Sequence, residues 1–180
     1  MISLKSKVAQ AVLGYFMLHE SSELYMNEMA RRLSLDDGNL TRKLKELEQE
    51  GILKSEERGK ERFYSVNKAF PLLKEYKQII LKTIGFEREL KEYLKRVKGL
   101  KQVYIFGSYA QDRMDTASDI DLLVIGDHNA VELQMEIAAL QKRINREVNV
   151  KNLTSTEFDK KKKTDPLLKD ILQKKKIRVL

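Results

Sequence analysis

Apolar positions recur at helical spacing through the first third of the chain. Val8, Val12, Tyr15, Phe16 and Leu18 place one apolar stripe on a helix over residues 5–19, and Met26, Met29, Ala30 and Leu33 do the same for a helix over 26–33. Ser34-Leu35-Asp36-Asp37-Gly38 then reads as a turn with an aspartate able to cap a third helix, which buries Leu40, Leu44 and Leu47 and stops before Gly51. Ile52 to Ser55 and Arg62 to Val66 alternate as short strands, with Glu56 to Glu61 between them as a hairpin tip containing Gly59. Three helices followed by a hairpin make one small module.

Pro71 opens the next segment, where Leu72, Tyr76, Ile79, Thr83, Phe86, Leu90, Tyr93 and Val97 alternate in steps of four and three. This predicts one helix over 72–97, roughly 40 Å long at 1.5 Å per residue, with Gly85 as its weak point. The stripe reads either as an amphipathic face packed on the chain's own domains or as the seam of a homodimer through residues 72–97. After Gly99 the period changes. Val103 to Phe106, Ile120 to Ile125 and Glu147 to Leu153 read as strands, and residues 130–144 as a helix with Val131, Leu133, Ile137, Leu140 and Ile144 on one side. Strand, turn, strand, helix, strand is an α/β pattern. Residues 156–172 look helical with an interruption near Pro166, and Ile177 to Leu180 suits a last strand.

Charge changes this picture only locally. The chain carries a net +8, but residues 1–70 contribute only +1, and the excess sits in 71–100 and 154–180. Overall basicity therefore says little about what the first module binds. Lys160 to Lys163 and Lys174 to Lys176 read first as solvated helix faces, with a phosphate-rich acceptor or a DNA backbone lying along the tail as the alternative. The absence of cysteine and the presence of only two histidines exclude thiolate and histidine-rich metal sites, leaving carboxylates and hard cations such as magnesium. No apolar run is long enough to span a membrane, and no secretory leader pattern opens the chain, so a cytoplasmic location is expected.

The candidate chemistry lies in Phe106-Gly107-Ser108-Tyr109-Ala110 and, beyond it, Ser118-Asp119-Ile120-Asp121-Leu122-Leu123-Val124. Alternate residues of a strand share a face, so Asp119 and Asp121 project together while Ile120 faces inward. Two adjacent carboxylates repel unless a cation sits between them. Gly107 allows a phosphate to approach the backbone, and Ser108 and the start of the following helix offer donors. This pair of motifs resembles the nucleotidyltransferase superfamily of DNA polymerase beta, especially its small bacterial and archaeal members, over residues 99–155. The resemblance implies Mg²⁺ held by Asp119 and Asp121 and a nucleoside triphosphate, ATP first, bound by Gly107 and Ser108. Such proteins usually place a third carboxylate on the next strand as metal ligand or base. Here Asn149 occupies that position, and an amide cannot act as a base. Glu147, two residues earlier and expected on the same face, is the candidate substitute, so Asp119, Asp121 and Glu147 form the expected catalytic set. The Arg-Gly pair common after the Gly-Ser turn is replaced by Gln111-Asp112, with Arg113 as the replacement cation.

Met29-Ala30-Arg31-Arg32-Leu33, Gly38 to Leu44 and Leu47 to Leu53 resemble winged helix-turn-helix regulators of the metal-sensor and multiple-drug-resistance type. The resemblance implies that the third helix enters the major groove of double-stranded DNA. Asn39, Thr41, Arg42 and Lys45 are its expected outward residues, with Arg58, Lys60 and Arg62 of the hairpin reaching the flanking backbone.

The expected fold is a mixed α+β chain of two domains. A winged helix-turn-helix spans 1–70, a linker or dimerisation helix 71–98, and an α/β nucleotidyltransferase-like domain with a basic helical tail 99–180. Two functional readings follow. One is a DNA-binding regulator with a Mg-dependent nucleotide-binding domain. The other is an active nucleotidyltransferase that modifies a protein, RNA or small-molecule hydroxyl, with the winged helix targeting or regulating it.

Overall fold

A computed structural model of the chain describes residues 5–114 and 118–180. Two compact units divide at Arg88/Glu89, and the fold is mixed α+β.

In the first unit, α1 (Lys7–Leu18) begins at Ser6, whose hydroxyl accepts the Ala9 amide. β1 (Glu23–Tyr25), α2 (Met26–Leu33) and α3 (Asp37–Gln49) follow, then the hairpin of β2 (Leu53–Arg58) and β3 (Glu61–Val66). Asp36 caps α3 by accepting the Asn39 amide at 2.9 Å, as its short carboxylate before an apolar-periodic run predicts. The core closes on Val12, Leu13, Phe16, Met29, Leu40, Leu44, Leu47 and Ile52, all buried. Sequence reasoning misses β1. Its three residues are too few to show alternation, and they become a strand only by pairing with β3, Leu24 against Tyr64.

The predicted helix over 72–97 is not continuous. It forms α4 (Leu73–Thr83) and α5 (Phe86–Leu94), broken at Ile84-Gly85. The Ile84 and Gly85 amides both turn back to the Ile80 carbonyl, at 3.0 and 2.8 Å. A Cβ at Gly85 would lie only 3.1 Å from Ile80 O and Leu81 Cα, so the tight reversal depends on glycine. The heptad stripe divides with it: Phe86 and Leu90 are 2% and 0% exposed, whereas Leu72 and Ile79 are 52% and 50% exposed. The linker is therefore not a single rod with one seam.

The second unit is built on a four-stranded sheet in the order β6-β5-β4-β7, formed by β4 (Leu100–Phe106), β5 (Ile120–Gly126), β6 (Val148–Leu153) and β7 (Ile177–Arg178). β4 runs antiparallel to β5 and β7, and β5 runs parallel to β6 through the crossover helix α7 (Ala130–Ile144). α6 (Gly107–Ala110), α8 (Ser155–Lys161) and α9 (Pro166–Gln173) complete it. Leu123 and Ile125 of β5 join Leu153, Leu168 and Ile171 in one core cluster, with Phe106 and Phe158 against it. Strand alternation puts Asp119 and Asp121 on the same sheet face as Leu123 and Ile125. The carboxylates thus occupy the open end of the face that α9 covers farther along.

Candidate active site and candidate nucleic-acid interface

Strand pairing brings the two motifs of the second unit together. Phe106 pairs with Asp121, so Gly107 begins α6 directly beside the second aspartate. Gly107 has φ +70°, and a Cβ there would collide with Asp121 Oδ2, so the turn requires glycine both for its backbone and for the carboxylate's place. α6 has only four residues, so it adds little dipole. Donors for an anion must come from the turn itself, the Ser108 side chain and nearby cations.

On the other side, Asp121 pairs with Asn149 in parallel register. The Asn149 amide nitrogen donates to Asp119 Oδ2 at 3.2 Å. Burial pushes the Asp121 carboxyl above its ordinary value; a hydrogen bond from Asn149 pulls it back, and the charge of Asp119 pushes it up again. The amide thus sits between two carboxylates and supplies the partial positive charge their proximity demands. Arg146 Nη1 donates to the Ser118 carbonyl at 2.6 Å, which ties the loop before β6 to the residue preceding Asp119. Glu147 is exposed and lies just ahead of β6; its backbone carbonyl accepts from the Ile120 amide at 3.0 Å, which sets it next to Asp119.

Among the described residues no cluster of three or more Asp, Glu, His or Cys is gathered around a point. The donor set is therefore two carboxylates. It fits one hard cation completing its shell with phosphate oxygens and water, and it does not fit an all-protein cage.

A raised carboxyl pKa has a definite sign for stability. Asp121 binds its proton more tightly folded than unfolded, so its favourable contribution is full below the unfolded pKa and is lost as pH rises through the folded one. At neutral pH the ionised group costs stability, and Asp121→Asn should raise the Tm of the ligand-free protein at pH 7, and by less at pH 4. An unchanged or lowered Tm in thermal denaturation would contradict this.

A cleft of about 470 Å³ opens beside the Gly-Ser turn. Phe106, Gly107, Ser108 and Arg113 line it together with Leu167, Asp170, Ile171, Lys174 and Lys175. Arg113, expected from sequence as a replacement cation, is exposed there, its guanidinium bonded to the Gln111 side chain. Sequence reasoning did not place Lys174 and Lys175 here. They read as part of a solvated run, and only the return of the chain from α9 to β7 brings them to the turn.

In the first unit the exposed face of α3 carries Asn39, Arg42 and Lys45, with Arg42 Nη2 3.5 Å from Asn39 Oδ1. Thr41 departs from the expectation that it points outward. Its side chain is half-buried, with the hydroxyl 2.8 Å from the Asp37 carbonyl and 2.9 Å from Met26 Sδ, because a helical threonine readily bonds the carbonyl four residues back. The hairpin arginines are also engaged. Arg58 pairs with Glu23 at 2.8 Å and Glu56 at 2.6 Å, and Arg62 with Glu57 at 2.7 Å. Lys60 at the tip is exposed and makes no ion pair among the described residues.

The chain belongs to the polymerase beta nucleotidyltransferase family, whose model matches residues 88–177, half of its length. The MarR family model matches residues 15–60, so a MarR-like winged-helix regulator region precedes the nucleotidyltransferase domain. No curated protein matches the chain significantly. Solved structures resemble it in part. One is a toxin-antitoxin complex with AMP-PNP (18% identity, 52% of this chain and 72% of that one, TM-score 0.41). Another is reduced AbfR bound to DNA (21% identity, 51% and 69%, TM-score 0.36). A third is a Sulfolobus solfataricus protein described as a nucleotidyltransferase (25% identity, 42% and 68%, TM-score 0.30). Among the described residues no helix is long and apolar enough to cross a membrane.

Proposed function

We propose that this protein is a DNA-binding regulator whose nucleotidyltransferase domain binds a Mg²⁺–nucleoside triphosphate, ATP first, and transfers the nucleotide slowly or not at all. The observation that carries this reading is Asn149, whose amide lies 3.2 Å from Asp119 where a base is wanted. Gly107 and Ser108 would take the phosphates, and Asp119 and Asp121 the cation. When bound, that ion would neutralise phosphate charge and orient the chain of phosphates. The protein's own residues do the rest. Gly107 leaves room for close approach, Ser108 offers a hydroxyl, and Arg146 holds the strand entry in place. An amide offers no lone pair basic enough to take the acceptor's proton, so the step that needs a base is the step this site lacks.

The test is incubation with labelled ATP and Mg²⁺, alone and with cell extract. Retention of label without transfer is the expected result. Transfer that disappears in Glu147→Gln would instead support an active enzyme, a reading favoured by the position of Glu147 beside Asp119.

For DNA, the free cations of α3 outrank those of the hairpin. Arg42→Ala should weaken binding to a cognate duplex by about 1–3 kcal/mol in a retardation assay. Arg58→Ala should cost less, because its guanidinium must first leave Glu23 and Glu56. The reverse order would contradict this assignment. The exposed Leu72 and Ile79 suit a homodimer contact narrower than the full 72–97 stripe. Leu72→Glu with Ile79→Glu should convert a dimer to a monomer in sedimentation; a wild type that sediments as a monomer would end the proposal.

A further inference from the structure

We propose that the link between α9 and β7 is the cationic arm of the phosphate site, with Lys175 and Lys174 gripping the outer phosphates of a bound nucleoside triphosphate. The inference rests on the nucleotide reading above and adds which residues discriminate tri- from monophosphate.

Residues 167, 170, 171 and 174 fall on one side of a helix by their spacing of three and four. On α9 this side meets the cleft: Leu167, Asp170 and Ile171 line it, and Lys174 and Lys175 line the same cleft as Gly107 and Ser108. Leu167 is 46% exposed, an apolar patch left open inside a charged cleft, where a ribose or base can rest.

The lysines are held there. Leu168 and Ile171 anchor α9 in the core, at 0% and 2% exposure. Two residues after Lys175, β7 pairs with β4, Ile177 against Ile105 and Arg178 against Tyr104. Lys176 donates to the Leu172 carbonyl at 2.5 Å, which fastens the short link between these anchors. A solvated lysine run needs no such support; a phosphate-binding arm does, because an ordered backbone lowers the entropy lost on binding.

The charges are distributed for exchange. Lys174 pairs with Asp170 at 2.8 Å, both half-exposed, a pair that costs little to open. Lys175 is exposed and has no ion pair among the described residues. Together with Arg113, which lines the same cleft, they supply the positive charge that the Gln111-Asp112 sequence withholds from the turn.

The test measures dissociation constants of the full chain for AMP, ADP, ATP and inorganic tripolyphosphate by equilibrium dialysis with Mg²⁺. Lys174→Ala with Lys175→Ala should weaken ATP and tripolyphosphate by about tenfold or more and leave AMP within about twofold, with Lys175→Arg close to wild type. Lys163→Ala, on the other basic run, should change none of them. If wild type binds ATP and the double variant binds it equally well, or loses AMP and ATP alike, the arm is refuted while the nucleotide site stands. If wild type binds none of the four, both fall together.

Discussion

Asn149→Asp is expected to raise nucleotidyl transfer by the factor a positioned base contributes, on the order of 10²–10⁴ over the wild-type rate. The new carboxylate would stand in register with Asp121 and within reach of Asp119, on the face that holds both. It would replace a donor with an acceptor, so the two existing carboxylates would lose the Asn149 amide and gain a third negative charge beside them. The ligand-free variant should therefore melt lower than wild type, and Mg²⁺ should restore more stability to it than to wild type. Rate and melting temperature form a paired readout. A variant that binds Mg²⁺–ATP more tightly but transfers no faster would show that the missing base is not what limits this site.

Gly107→Ala carries the second large effect. At φ +70° any other residue is strained, by roughly 1–2 kcal/mol. The added methyl would also occupy the position of Asp121 Oδ2, so that carboxylate must turn from the place it holds beside Asp119. The expected outcome is a folded protein whose ATP affinity falls by on the order of a hundredfold, larger than a lost hydrogen bond accounts for, because cradle and ligand are displaced together. Circular dichroism checks the fold and dialysis the affinity. A loss below threefold would mean that the phosphates do not approach this turn.

How much of this was legible in the sequence depended on whether the signal was local. The helix over 130–144 matches the observed α7 at both ends, because Asn129 caps it and Leu133, Ile137, Leu140 and Ile144 keep its period; Val131, expected with them, is exposed. The Asp119-x-Asp121 pair could be placed on one face from strand alternation alone, whereas Gly107 next to it was implied only by the family resemblance. The failures involve bonds that spacing alone does not announce, some local and some tertiary. Gly85 marks a weak point in the heptad, but spacing does not announce that its amide will turn back to Ile80 and break the helix there. Thr41 has the spacing of an outward residue, yet its hydroxyl satisfies Asp37 and Met26. Arg58 and Arg62 read as free cations because the hairpin that folds them onto Glu56 and Glu57, and onto Glu23 of β1, forms only when its strands pair. Lys174 and Lys175 looked like solvent-facing charge until β7 paired with β4 and returned them to the Gly-Ser turn. A residue's neighbours along the chain set its element; its role in a site depends on strands it meets only after folding.

The acidic pair's grip on a divalent ion beside the glycine turn is measured most directly by titration calorimetry of ATP into the full chain, with Mg²⁺ and with EDTA, for wild type and Asp119→Asn. The account predicts binding by wild type that requires Mg²⁺, and a variant whose weaker binding no longer responds to Mg²⁺. Equal ATP affinity in Mg²⁺ and EDTA, or an Asp119→Asn variant indistinguishable from wild type, would contradict it.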